Sequence, residues 1–162
     1  MSGHVTHFFP GRIPDPPDPR DYRAASFMRS ATARRPIRVD LTPRLGPVLD
    51  QGDTPQCVAY SAAVAKVFQE RREHHRTYPL DPDRLYRECK LRDGIPNQDG
   101  TYIRVANDTI LSVGAYRLDK PEVAYRIKSY ARLYSVEEII RAIHEIGPVQ
   151  IGIAWQYEWF TP

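Results

Sequence analysis

At 162 residues and 18.7 kDa, the chain has the length of one domain, or of one and a fragment. Its 41% hydrophobic and 27% charged residues are ordinary for a globular protein and exclude wholesale disorder. A net charge of +3 is too small and too dispersed to argue for nucleic acid. Arg29, Arg34, Arg35 and Arg38 do cluster, but no aromatic residues interleave with them as a stacking platform requires, so a solvated basic arm is expected.

No run approaches the roughly 18 apolar residues that span a bilayer, so no membrane partner is expected. The start, Met1 to Pro10, lacks a basic stretch followed by an apolar one and does not read as a secretory signal. Two cysteines, Cys57 and Cys89, do not make a disulfide framework; free thiols and cytoplasmic synthesis are the expectation.

Residues 1–38 read as an extended, proline-rich arm, and 39–162 as the folded domain. Pro10-Gly-Arg-Ile-Pro-Asp-Pro-Pro-Asp-Pro-Arg-Asp-Tyr22 carries five prolines, each fixing its own φ and pushing its predecessor toward extended geometry. The turn residues of Asp50-Gln-Gly-Asp-Thr-Pro55 precede a helix predicted over Cys57–Arg72, apolar almost all round until Lys66 and therefore buried. A second helix is expected after Asp81, with Pro82 at its first position and Leu85, Tyr86 and Cys89 on one face.

Residues 92–100 return to loop chemistry. A third helix is predicted from about Thr101 to Val113, stopped by Gly114. The alternation in Ala124-Tyr-Arg-Ile-Lys-Ser-Tyr-Ala-Arg-Leu-Tyr134 predicts a strand. Ser135 with Glu138 forms a capping box for a fourth helix that Gly147 closes. Pro148–Trp155 reads as a buried strand. The aromatic group Trp155, Tyr157, Trp159 and Phe160 then calls for a protein partner to cover it.

Cys57 is the candidate nucleophile. A cysteine attacks as thiolate, and the start of a helix is one place that favours this form. Gln51 lies across the turn, where its side-chain amide could join the Cys57 backbone N–H as oxyanion donors. Taken alone, Cys57 favours the plainer reading of a small apolar cysteine opening a buried helix.

The neighbourhood adds to this. Asp50-Gln-Gly-Asp-Thr-Pro-Gln-Cys-Val-Ala-Tyr-Ser-Ala62 resembles the nucleophile segment of papain-like (C1) cysteine peptidases. Val39-Asp-Leu41 and Pro47–Gly52 resemble the stretch leading into it. Asp93-Gly-Ile-Pro-Asn-Gln-Asp-Gly-Thr101 resembles the family's glycine-bearing substrate loop, which implies backbone binding of an extended peptide at Asp99 and Gly100. Gly147-Pro-Val-Gln-Ile-Gly-Ile153 resembles the strand that begins the family's β-rich lobe, and Pro16–Tyr22 the lead-in of bacterial and phage-borne members.

The resemblance implies an α+β, papain-like fold: a mainly helical lobe around 57–113 and the beginning of a β lobe. It also implies a peptide or protein as binding partner, with no cofactor. Two departures stand out. Pro55-Gln56 precedes the cysteine where the family often has Gly-Ser, and Thr54 stands where disulfide-bonded members place a cysteine.

The family's catalytic histidine and asparagine follow the segment matched by Gly147–Ile153, whereas His4, His7, His74, His75 and His144 all precede it. His74 and His75 would lie about 25 Å from Cys57 along a continuous helix. No third ligand at suitable spacing supports a metal site. Two readings follow: a non-catalytic peptidase homologue serving a larger assembly such as a virion, or a peptidase or amidase whose histidine and asparagine come from elsewhere.

Overall fold

The structure, a computed structural model, describes residues 11–19, 21–28, 38–75, 77–153. The arginine cluster at 29–35, His4, His7 and the aromatic group from Trp155 onward lie outside these residues. Helices α1 (Cys57–His74), α2 (Pro82–Lys90) and α3 (Ile103–Ser112) form the centre, and α4 (Val136–Glu145) follows later in the chain. No helix among the described residues is long and apolar enough to cross a membrane.

The helices pack closely because their contact faces are small. Ala59, Ala62 and Ala63 of α1, Cys89 of α2 and Ala106 of α3 are all fully buried or nearly so, and they let backbones approach. Val58, Val67, Leu80, Leu85, Ile110 and Ala115 fill the space between them.

Each helix carries its own boundary signals. Asp81 caps α2, its Oδ1 accepting from the Arg84 N–H at 2.8 Å, with Pro82 in the first turn. Ser135 caps α4 through the Glu138 N–H at 3.1 Å, while the Glu138 carboxylate reaches back to the Tyr134 N–H at 2.6 Å. Arg71, Arg72 and His74 sit in the last turn of α1, where positive charge suits the helix dipole. The Arg72 guanidinium also donates to the carbonyls of Glu145 and Ile146, tying the end of α4 to the end of α1.

Three expectations need correction. Helix α3 starts at Ile103, because Thr101–Tyr102 (β2) pairs in parallel with Arg12–Ile13 (β1) of the N-terminal arm. The predicted strand over 124–134 shortens to Ala124–Tyr125 (β4), antiparallel to Ala115–Tyr116 (β3). Its partner is only two residues long, so the later alternation sits on irregular backbone, with Ile127 turned to the core and Tyr130 hydrogen-bonded to Asp108 at 2.6 Å. Finally, Pro148–Ile153 forms no ladder among the described residues, and a side chain, Gln150, fixes it instead.

Lys66 and Glu70, read as the start of the polar end of α1, are both buried and pair at 2.5 Å. One turn of helix separates them, so each supplies the other's counter-charge within a single element.

Candidate active site

Cys57 is the first residue of α1, half-buried and packed against the core, with a free thiol. The turn before it is locked by its own polar groups. Asp50 Oδ1 accepts from the Gly52 N–H at 2.8 Å, and Gly52 takes φ +57, which its missing Cβ permits. Gln51 and Thr54 clasp each other: the Gln51 amide donates to the Thr54 carbonyl at 2.5 Å, and the Thr54 hydroxyl donates to the Gln51 carbonyl at 2.6 Å. The candidate oxyanion donor is therefore folded into its own turn, one N–H already engaged.

The loop carrying Asp99 and Gly100 is built around an ammonium group. Lys90, at the end of α2, donates to the carbonyls of Ile95 at 2.9 Å, Gln98 at 2.7 Å and Gly100 at 3.1 Å. It also stands 2.7 Å from Asp93 Oδ2, without hydrogen-bond alignment. Asp93 Oδ1 in turn accepts from the Ile95 N–H at 3.0 Å. Gly100 takes φ +84, and its N–H donates to the Tyr86 hydroxyl at 3.1 Å. Asp99 is exposed.

Between these two walls runs the N-terminal arm. The Thr101 N–H donates to the Gly11 carbonyl at 2.8 Å, and β1 continues the pairing along β2. On its other side Gly11 is pressed against the turn into Cys57. A Cβ on Gly11 would overlap the Pro55 carbonyl, and one on Gly100 would overlap the Gly11 carbonyl. The next residue, Arg12, lays its side chain across Gly152, and Arg12 Nε is buried without a hydrogen-bond partner among the described residues.

Past β1 the arm is anchored by Arg104 of α3. Its guanidinium takes both oxygens of Asp21, at 2.9 and 2.7 Å, and the Pro16 carbonyl at 2.9 Å. Arg132 adds a contact to Asp21 at 2.9 Å. The Arg104 guanidinium holds the Asp21 carboxyl below the usual carboxylate range, against the opposing effect of burial, with Arg132 helping.

Gln150 anchors the segment that follows α4. Its amide donates to the Val58 carbonyl at 2.8 Å and the Ser61 hydroxyl at 2.7 Å, beside the first turn of α1.

The described histidines lie elsewhere. His74 is 17 residues along an unbroken helix from Cys57, about 25 Å at 1.5 Å per residue. It is exposed and 3.7 Å from Glu70 Oε2. His75 follows it, and His144 is exposed in the last turn of α4, the end that Arg72 ties to the same far end of α1. Among the described residues no group of three or more His, Cys, Asp or Glu could hold a metal ion.

No family model matches the chain, and no curated protein matches it. Solved structures do. Xylellain, a cysteine protease from Xylella fastidiosa, aligns with a TM-score of 0.71 at 22% identity, over 88% of this chain and 65% of its own. A chain from work on antibody cross-reactivity between the mite allergens Blo t 1 and Der p 1 aligns with a TM-score of 0.63 at 18% identity, over 72% of this chain and 45% of its own. The fold is papain-like. The chain spans less than two thirds of the length of either structure.

The two segments singled out in the sequence, Gln51–Cys57 and Asp99–Gly100, stand on either side of Gly11. Sequence reasoning missed Gly11 and Arg12 between them, as well as Lys90 and Gln150. None of the four has a local signal: a glycine in a proline-rich arm and a lysine at a helix end become informative only through contacts distant in sequence.

Proposed function

We propose that this chain is a papain-like cysteine-peptidase homologue acting as a peptide-binding module within a larger assembly, and not as a complete hydrolase. The observation that carries this is Gly11: the groove between Pro55 and Gly100 is filled by the chain's own backbone. The arm supports this reading: its own extended backbone lies in the groove through a main-chain hydrogen bond, the mode in which a strand adds to an exposed edge. The position of the described histidines supports the same reading: none of them stands beside Cys57, and acyl transfer by a thiol needs a base next to it.

A second reading rests on the turn at Cys57 and on Gln150. In it, Cys57 attacks a carbonyl, Gln51 and the Cys57 N–H stabilise the oxyanion, Asp99 and Gly100 bind substrate backbone, and a histidine and an asparagine arrive from another segment or chain. The exposed Ile146, Ile151 and Ile153 offer such a lobe an apolar face.

The rate of Cys57 alkylation against pH separates the two. The binding-module reading expects reactivity that rises only toward the ordinary thiol range, with Cys57→Ala leaving assembly intact. Fast alkylation well below neutral pH that is lost when the histidine-bearing segment or partner is withdrawn places a cationic group beside the sulfur and would overturn it in favour of the hydrolase.

A further inference from the structure

The groove around Gly11 leaves no room for a side chain. Gly11 is confined on two sides: the Pro55 carbonyl and Gln56 nitrogen occupy the place of any Cβ, and Gly100, itself at positive φ, closes on the Gly11 carbonyl. Both walls are braced, one by the Gln51–Thr54 clasp and the other by the Lys90 ammonium. A wall of backbone held in this way cannot yield as a flexible side chain would. At the next position the demand reverses. Gly152 has no side chain, and Arg12 Cδ, Nε and Cζ fill the space where one would stand.

We propose that the groove beside Cys57 selects extended peptides with glycine at the pinch, followed by a long side chain over Gly152, and that Gly11–Ile13 is its resident ligand. The proposal rests on the peptide-binding reading above and names the class of peptide that site takes. Arg12 Nε has no hydrogen-bond partner among the described residues, and what the second position holds is the reach of the side chain over Gly152. An unbranched apolar side chain of similar reach meets the same space without stranding a donor.

The test uses the full chain carrying Gly11→Ala, whose own arm no longer fits, and fluorescent peptides copying residues 10–16. The expected result is saturable binding of the glycine peptide. Its alanine counterpart at the pinch should bind at least about tenfold more weakly, as expected for forcing a methyl group into a packed site. A peptide with methionine in place of Arg12 should bind no more weakly than the arginine peptide.

Equal binding of the glycine and alanine peptides overturns the selectivity and leaves the peptide-binding reading standing. Failure of every peptide to bind a folded variant overturns that reading itself. Should Gly11→Ala not fold, Arg104→Gln weakens the arm at its anchor instead, and the same comparison applies. In either variant, a Thr101 amide as protected from hydrogen exchange as in the parent shows the arm still seated, and for Gly11→Ala that result refutes the pinch.

Discussion

Replacing Lys90 by methionine removes the ammonium group at the centre of the 93–100 loop while keeping a side chain of similar length. The structure sets the cost. The Asp93 side chain is fully buried and Lys90 only 17% exposed, so the variant strands a carboxylate in the protein interior. Three carbonyls lose a charged donor at the same time. Breaking a buried pair from one side costs about 3–5 kcal/mol, and the partial exposure of Lys90 places this one near ~3 kcal/mol.

For a chain of this size that corresponds to a fall in Tm of about 6–12 °C, measured by calorimetry or circular dichroism. Adding Asp93→Asn deletes the orphaned charge yet keeps an oxygen for the Ile95 N–H, so the double variant should recover roughly half of the loss. A shift of less than about 2 °C for Lys90→Met, or a double variant no more stable than the single one, would refute the idea that this ion pair braces the loop.

Cys89 is fully buried between α2 and α3, and burial pushes its thiol up to about 11. It should stay unlabelled by iodoacetamide at pH 8 in the folded protein and react only on addition of guanidinium, as mass spectrometry of the modified peptides would report. Asp21 titrates in the opposite direction. Its carboxyl is held below the usual value of about 4, so its contribution is complete above that value and disappears as pH falls through the lower, folded one. The Arg132 amide, which donates to the Tyr22 carbonyl at 2.8 Å, should therefore remain protected from exchange at pH 4 and lose protection in stronger acid, a step absent in Asp21→Asn.

The helical lobe was legible because its signals are local. Asp81-Pro82, Ser135 with Glu138, and Gly114 and Gly147 mark ends through bonds within one turn of helix, and the apolar face of α2 falls at helical spacing. The turn before Cys57 was legible for the same reason, since Asp50 to Thr54 closes on itself. Strands fared worse. A strand exists by virtue of its partner, and neither the two-residue β3 nor the Arg12–Thr101 pairing can be read from alternation in one segment. The buried Lys66–Glu70 pair misled in another way: its charges imitate a solvent face, and only the packing reveals that they neutralise each other inside the fold.

The arm has a consequence for how the chain is made. Its anchors are far away in sequence: Asp21 bonds a residue 83 positions later at Arg104 and one 111 positions later at Arg132. Helices α1 to α3 are joined by short connections and make mostly near-neighbour contacts, the kind that form early. During synthesis Asp21 emerges well before Arg104 and Arg132 and must wait for them, and the loop they close is long. The anchoring of the arm at Asp21 is therefore completed late, once Arg132 has joined Arg104.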